Sequence, residues 1–435
     1  MFRKLEAVLV SFVVLFTVFS AKAFGAGSGG YRNEVVDAEA AGKGYCFTAQ
    51  ADNPSAVYYN PAGLTQLKGS QVTVGYAYEA PRSSVDSKAT GDNVNMQKQV
   101  FYIPNVYFVT NLKGENLKFG FGANSPYGLS TDWSNDSFAQ YASTESNVQM
   151  MNYNPTIAYK VNDYVSLGAG LDFFTASVSK HKVLSTLLSS TGGDFQLKGT
   201  DESFGYNLGV LLKPSEKHRI GISYRSPIRL ELEGKISIDG LNNIAPYFAS
   251  TTFGGASYST EMKSKSTIPG SIAMGYAYQP NSKWTFEADV EWTNWACVEE
   301  ELVTYPNESN PTRLAILNGG NPASRDWRSV FSYGIGAEYQ ATDKLELRGG
   351  FLYQQSPIPS VNFEPVLPDS DKYGITTGLG YLMKNVKIDT SYAFFKYRDR
   401  DVTNAMGSTS TPAYDIDGNY KGYVNIIALS FTYKY

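Results

Sequence analysis

Short segments with alternating apolar and polar residues dominate this chain of 435 residues. The clearest of them lies at 418–435, where every second side chain from Ile427 to Tyr435 is apolar or aromatic and Tyr423 falls on the same face. The positions between them, such as Ser430 and Thr432, are small or polar. A period of two predicts a β-strand with two different faces. One face suits lipid and the other a polar lumen.

The same alternation recurs at 203–212, 331–339 and 373–381, where aromatic and aliphatic residues alternate with Gly, Ser, Thr and Asn. A tilted strand needs about 9–11 residues to span a membrane, and these segments come close to that length. Aromatic residues make up 14% of the chain, which contains 40 glycines, and both features are typical of membrane barrels.

The connections between these segments fall into two classes. Short polar turns lie at 113–114, 162–163, 215–217, 281–282, 342–343 and 384–385, and long irregular stretches lie at 83–97, 132–143, 182–199, 239–259, 300–325, 357–371 and 398–418. Six short and seven long connections join fourteen strands, an even number with both ends on the periplasmic side. The sequence therefore predicts an all-β fold, a fourteen-stranded antiparallel transmembrane β-barrel.

The first residues have the features of a secretory signal. Arg3 and Lys4 precede an apolar run at 8–19, and Ala21 and Ala23 provide small residues at a peptidase site. A permanent helical anchor is the alternative, but the run is shorter than the roughly 20 residues that a spanning helix needs. We expect residues 1–25 to be a cleaved signal peptide. Residues 26–69, rich in Ala and Gly, are then a small, partly helical hatch inside the lumen, and residues 70–435 form the barrel.

Charge and reactive residues exclude other classes of protein. The net charge of -4 offers no basic surface for nucleic acid. Cys46 and Cys297 lack metal-ligand spacing, so we expect neither a metal nor a cofactor; the two thiols are either bonded to each other or free. His181 and His218 lie near a loop and a turn, away from any obvious serine nucleophile, which argues against an enzyme.

Residues 52–64 read DNPSAVYYNPAGL, which resembles the signature of the FadL-type transporters of long-chain fatty acids and aromatic hydrocarbons. The segments AAGKG at 40–44, PYGLST at 126–131, RIGISYRS at 219–226 and LRGGF at 347–351 also look familial, so the resemblance covers nearly the whole mature chain. The long loops match poorly. The resemblance implies a fourteen-stranded barrel with an N-terminal hatch in the bacterial outer membrane, surrounded by lipid and lipopolysaccharide.

The resemblance also implies a transport route and its partners. A hydrophobic ligand, either a fatty acid or an aromatic hydrocarbon, would be captured outside and released sideways where the third strand kinks inward. The aromatic end of the last segment resembles the signal that the bacterial barrel-assembly machinery reads. We expect a monomer. A general or semi-specific diffusion porin is the alternative function, although a porin has no need of a hatch.

Two groups of residues would form the hatch turn and the lateral opening. Asn60, Pro61, Ala62 and Gly63 are typical of a tight turn, in which proline fixes one dihedral angle and Asn bonds nearby backbone. We expect this turn to position the hatch. In the third strand, proline and glycine weaken ladder pairing, so an opening is expected there unless Pro126 simply ends the strand. The residues of the predicted opening are Gly120, Gly122, Asn124, Pro126 and Gly128.

Two further groups are candidates for ligand contact. Apolar residues in predicted loops suggest capture of a ligand, or loops that pack on each other to cap the barrel. These loop residues are Leu184, Leu187, Leu188, Ile244, Phe248 and Phe253. Arg225, Arg348 and Lys118 are predicted to face the lumen, where a cation could bind a carboxylate headgroup. Alternatively, such cations pair with acidic residues of the lumen, for which the run at 287–291 is the candidate, or hold the hatch.

Overall fold

The computed structural model describes residues 29–33, 35–184, 193–244, 247, 249–319, 321–404 and 415–435. The predicted signal peptide, residues 1–25, lies outside the described residues, as do Leu187, Leu188 and Phe248 and the side chain of Ile244. Among the described residues, no helix combines the length and the apolar character needed to cross a membrane.

Fourteen antiparallel strands form one closed wall, as predicted, and three of them are interrupted. The first seven are β1 (Gln71–Ser87), β2 (Phe101–Lys113), β3a and β3b (Leu117–Asn124 and Gly128–Asp132), β4 (Glu145–Lys160), β5 (Val165–Leu184), β6 (Gly193–Ser215), and β7a and β7b (His218–Arg225 and Ile228–Asp239). The others are β8a and β8b (Tyr258–Ile268 and Ser271–Asn281), β9 (Trp284–Thr293), β10 (Val330–Thr342), β11 (Leu345–Gln354), β12 (Lys372–Met383), β13 (Val386–Tyr397) and β14 (Gly418–Lys434).

The barrel closes where β1 pairs with β14 in one unbroken register, from Gln71 opposite Lys434 to Ser87 opposite Gly418. All six predicted short turns join adjacent strands at one end of the barrel. The strands run further outward than predicted, because β1, β5 and β6 extend into stretches that the sequence suggested were loops. Their outer ends carry polar residues on the outward face, so the wall continues beyond the lipid-facing band.

The two faces of the wall differ in residue type, as the alternation along the strands predicts. Outward residues such as Leu171 and Ile375 are exposed by 63% and 66%, and lipid covers such a face in a membrane. Inward neighbours such as Asp172 and Thr376 are buried. An aromatic band that includes Tyr206 on β6 marks the outer edge of the apolar surface.

The described N-terminal residues lie inside the lumen. Three short helical segments, α1 (Ala38–Ala41), α2 (Ala56–Tyr59) and a 3-10 turn (Pro61–Gln66), are joined by tight turns. The fold prediction of a small, partly helical hatch inside the barrel is thereby confirmed. Small residues allow the close packing: a Cβ at Gly42 would lie 3.0 Å from the backbone of Gly378 on β12. Two of the hydrophobic clusters lie between the hatch and the wall.

The extracellular connections contain short elements. They are a strand at Asn93–Asn95, helix α3 (Leu241–Ile244), a π-helical turn (Ala249–Phe253), a 3-10 turn (Trp295–Cys297), a strand at Glu300–Thr304, helix α4 (Pro311–Leu317), a strand at Ala323–Ser324, a 3-10 turn (Ser360–Asn362) and a strand at Arg400–Val402. The strand Glu300–Thr304 pairs with β8a and so adds to the wall above the membrane.

Candidate functional site

An apolar chamber lies in the extracellular half of the barrel, between the start of the described hatch, the inner faces of β3b, β4, β5 and β7b, and the outer loops. It encloses about 130 Å³. Tyr31 of the hatch lies at its inner end and Trp327 on its loop side. The other apolar lining residues are Leu129, Val148, Met150, Val178, Leu230, Leu232, Val298, Ile358, Val366 and Leu367. Sites for small apolar ligands have this concave, mostly apolar form.

The chamber arises because the inward face of the wall changes character along the strands. On β5 the inward residues change from Asp172 to Phe174 and Val178 as the strand runs outward. Along β7b the inward Ile228, Leu230 and Leu232 alternate with charged residues on the outward face. Sequence reasoning missed these residues. The strict alternation of apolar and charged residues could have identified them, because charged side chains do not face hydrocarbon. The apolar residues of such a strand must then point into the barrel.

Ion pairs cover the outer rim of the chamber. The two terminal nitrogens of the Arg325 guanidinium lie 2.8 Å from Glu301 and 2.8 Å from Glu364, and Lys180 of β5 also bonds Glu301. Burial acts to raise the pKa of the Glu301 carboxyl, but Lys180 and Arg325 outweigh it, and the pKa is lowered below its ordinary value. The rim thus joins β5 to two separate extracellular loops.

The wall is interrupted beside the inner end of the chamber. β2 pairs with β3a only up to Val106 opposite Ala123, whereas β3b pairs with β4. In the part of the chain that the structure describes, no ladder pair joins β3b to β2. The hatch occupies this edge from inside: Gly128 N–H donates to Tyr31 C=O at 2.8 Å, and Asn33 N–H donates to Pro126 C=O at 2.8 Å.

Of the residues of the predicted opening, Asn124, Pro126 and Gly128 lie at the break, where Asn124 ends β3a and Gly128 begins β3b, whereas Gly120 and Gly122 are still paired with β2. Gly120 and Gly122 lie just before it and face the hatch. A Cβ at Gly120 would lie 2.7 Å from Val57, and one at Gly122 would lie 3.0 Å from Val57. These two glycines are thus explained by the closeness of the hatch.

The hatch turn at 60–63 contacts both the hatch and the wall. The Asn60 side chain accepts from Ala62 N–H at 3.2 Å and donates to Thr48 C=O at 2.8 Å and to Val210 C=O of β6 at 3.1 Å. Pro61 packs against Gly209, and Gly63 packs against the hatch backbone at Ala51. These contacts join the turn to β6.

Two of the predicted loop residues, Leu184 and Phe253, lie in an extracellular cluster apart from the chamber. Phe253 is 8% exposed and packs edge-on against Tyr258, with ring centroids 5.0 Å apart. Leu184 and Phe195 pack against the same cluster. In these contacts the loops pack on each other and cap the barrel.

The three predicted lumen cations all have partners within the chain. Arg225 bonds the Asp172 carboxylate and donates to Tyr58 C=O of the hatch at 3.2 Å. Lys118 donates to Leu67 C=O at 2.7 Å and lies 3.3 Å from Glu115, near the periplasmic end. The geometry therefore favours the alternative in which lumen cations hold the hatch and pair with lumen acids.

Arg348 is surrounded by four carboxylates. It lies 3.3 Å from Glu39 of the hatch, 2.7 Å from Glu338 and 2.7 Å from Asp389, and it also bonds Glu346. Glu39, Glu338 and Glu346 come close enough together to hold a metal ion, but they already pair with the Arg348 guanidinium and with Lys387, which lies 3.0 Å from Glu39 and 2.9 Å from Glu346.

The acidic run at 287–291 has different partners from those expected. Glu287 lies 3.2 Å from Lys43 of the hatch, and Glu291 lies 2.6 Å from Arg32. Asp289 accepts the backbone N–H groups of Phe47 and Thr48, each at 3.0 Å. These acids hold the hatch directly, whereas the candidate arginines pair with other carboxylates. Cys46 and Cys297 are both free thiols.

Comparison with known proteins agrees with this architecture. The family described as outer membrane protein transport protein (OMPP1/FadL/TodX) matches residues 19–435. A long-chain fatty acid transport protein of Escherichia coli is 25% identical over 423 residues, covering 89% of this chain and 90% of the relative.

Solved structures share the fold. A FadL homologue of Pseudomonas aeruginosa superposes with a TM-score of 0.77 at 18% identity, covering 93% of this chain and 99% of that one. The toluene transporter TbuX of Ralstonia pickettii gives 0.67 at 19% identity, covering 96% and 100%. The chain therefore belongs to the OMPP1/FadL/TodX family of outer membrane transport proteins.

Proposed function

We propose that this outer membrane protein captures hydrophobic molecules in the apolar chamber and releases them sideways through the interruption between β2 and β3b. One observation carries the proposal: Tyr31, which lines the chamber, also bonds the free edge of β3b through Gly128. Chamber and wall break are thus separated by one segment of the hatch. Movement of residues 31–33 would join them.

The cargo is proposed to be a long-chain fatty acid or an aromatic hydrocarbon. The apolar lining supports either, and the relatives are named as transporters of fatty acids and of toluene. We assign Asn60, Pro61, Ala62 and Gly63, together with Arg225, Arg348 and Lys118, to positioning of the hatch, since their contacts are with the hatch and the wall.

A diffusion porin fits the lumen less well. The hatch is buried along most of its described length and bonds the wall through ion pairs on several strands. Water and ions would need the space that the hatch occupies. The family and the fold are those of transporters and channels, not of enzymes.

Uptake in cells tests the proposal. A deletion strain carrying the wild-type gene should take up radiolabelled oleate or toluene faster than the empty strain. Leu230→Asp places a charge in the chamber and should lower uptake by about tenfold, because an unpaired buried carboxylate weakens apolar binding by more than 1.4 kcal/mol. Arg229→Asp changes the neighbouring outward residue and should leave uptake within about twofold of wild type.

Uptake that is unchanged by the deletion would contradict transport of these solutes. Equal losses in the two aspartate variants would contradict the chamber as the capture site. A large, steady conductance of the wild-type protein in planar bilayers would favour the porin instead.

A further inference from the structure

The wall contains a second gap, between β6 and β7. Below it, Asn207 pairs with Arg225, and above it Thr200 pairs with Glu233. In the described strands, no ladder pair joins residues 201–206 to residues 228–232. Since pairing continues on both sides, this is a gap within the wall rather than a frayed strand end.

Short side chains bridge the gap in place of the backbone ladder. Glu231 N–H donates to the Asp201 carboxylate at 2.7 Å, and the Ser203 hydroxyl donates to Arg229 C=O at 2.6 Å. At the lower end, Tyr206 N–H donates to the Ser226 hydroxyl at 2.9 Å and Ser226 N–H donates directly to Tyr206 C=O at 2.9 Å, so the gap in backbone bonding begins beyond Tyr206. Ladder strands bond N–H directly to C=O at a spacing of about 4.8 Å, so bridging by an inserted side chain indicates strands that stand further apart.

Prolines account for the position of the gap. Pro227 separates β7a from β7b and has no N–H to donate to β6. The adjacent β8 breaks at Pro269 and Gly270, where Asn294 N–H donates to Gly270 C=O at 2.9 Å. The breaks in β7 and β8 therefore lie side by side in the wall.

One isoleucine covers the inner side of the gap. Ile228 is 1% exposed, and a Cβ at Gly205 would lie 2.7 Å from its Cγ1 atom. The next inward residue, Leu230, lines the chamber. On the outward side Phe204 is 71% exposed, at the outer edge of the lipid-facing band. Arg229 and Glu231 of β7b face outward beyond this level and are charged, so only the lower end of the gap lies beside lipid, and there the contact between Ile228 and Gly205 separates lipid from the chamber.

We propose that the gap between β6 and β7 is a second lateral portal, through which neutral apolar molecules pass between the chamber and the outer leaflet when the Ile228 side chain turns away. This inference rests on the chamber function proposed above. Ile228 and Phe204 give the gap an apolar cover, whereas the charges at its outward border are mixed: Arg229 lies beside it, and Glu231 pairs with Lys265 at 3.2 Å. The apolar cover therefore suits an uncharged hydrocarbon.

The chain offers a matched pair of variants. Ile268 of β8a lies directly opposite Ile228 in the ladder, is also 1% exposed and belongs to the same core cluster, but β8a is one strand further from β6. Ile228→Ala and Ile268→Ala thus remove the same volume from the same cluster, and only the first uncovers the gap.

The purified full chain is placed in liposomes with a neutral apolar aryl diazirine in the bilayer, and photolabelling of Leu230 is followed by mass spectrometry. Ile228→Ala should raise the initial labelling rate by about threefold or more, whereas Ile268→Ala should stay within about twofold of wild type. Equal rates in the two variants, or a slower rate in Ile228→Ala, would overturn the portal.

Two controls keep the result interpretable. Heat-modifiable gel mobility reports folding, and Ile228→Val with Ile268→Val gives the same comparison if either alanine variant does not fold. Labelling reports access from the bilayer and does not depend on net uptake by cells. Failure of the uptake experiment with a positive labelling result would therefore contradict the transport function, not the portal.

Discussion

At the scale of single residues, ion pairs hold the hatch in the lumen of this barrel. Arg348 bonds four carboxylates that come from the hatch and from three different strands. A buried carboxylate without a counter-ion is costly, and here the guanidinium shares the acids with Lys387, which lies 3.0 Å from Glu39, 2.9 Å from Glu346 and 3.7 Å from Asp389. The cation that appeared from the sequence to be available for a ligand headgroup thus joins the hatch to the wall.

Replacing Arg348 by methionine is expected to lower the free energy of unfolding by about 3–5 kcal/mol, because the buried Glu39 and Asp389 and the partly buried Glu338 and Glu346 lose a shared partner. Urea unfolding in detergent, followed by tryptophan fluorescence, measures the change. Lys263→Met, which breaks an exposed outward pair with Glu233, serves as the control and should leave the midpoint nearly unchanged. Similar losses in the two variants would contradict the bracing role of Arg348.

The rim pair at Glu301 should make stability depend on pH. Its pKa is lowered in the folded protein, so its stabilising contribution is fully present above its ordinary value of 4.5 and is lost as pH falls toward the folded value. The difference in thermal midpoint between wild type and Glu301→Gln should therefore be constant from pH 8 to about pH 5 and shrink below it. A difference that persists unchanged at pH 3 would refute this assignment.

At the scale of elements, close approach between hatch and wall depends on glycine faces. Gly349 and Gly350 are neighbours on β11 and point to opposite sides. A Cβ at Gly350 would overlap the hatch backbone at Gly44, whereas one at Gly349 would have its nearest neighbour at 3.8 Å. The positions of the glycines therefore indicate which side of a strand contacts the hatch.

Gly350→Ala should displace the hatch locally, and Gly349→Ala should not, although both change a glycine of the same strand. We expect faster proteolysis of the hatch and a higher conductance in planar bilayers for Gly350→Ala only, because a Cβ cannot share the space of the Gly44 backbone. Identical digestion of the two variants would show that the hatch is seated differently.

At the scale of the whole molecule, closure of the sheet leaves few free edges. β14 pairs with β1 over 17 residues and with β13 on its other side, so every barrel strand has two neighbours. In the described strands, the gaps at β2–β3b and β6–β7 both lie beside the chamber, and the pairing of β4 with β5 is also interrupted at Asn154 and Pro155. The two longer gaps of the wall are therefore next to the cavity that would hold the cargo.

A closed barrel without an unpaired edge strand should be a monomer, because an open edge is the usual route to strand pairing between copies. Sedimentation in density-matched detergent should give the mass of one chain at all protein concentrations. A mass that rises to two or three chains with concentration would contradict this expectation.

The sequence alone determined the barrel, the number of strands and the order of short and long connections. These features depend on periodicity and local turn chemistry, which each segment carries by itself. The sequence also located the break in β3, because proline and glycine weaken strand pairing at their own positions. The residues 52–64 indicated the family.

Only the tertiary structure decided which groups meet. Arg225 and Asp172 lie on different strands, and Glu39 reaches Arg348 from the far end of the chain, so no local pattern could pair them. The chamber and the gap between β6 and β7 likewise depend on inward faces of several strands and on the hatch between them. Residues that are distant in sequence meet only when the barrel closes with all fourteen strands in their final register.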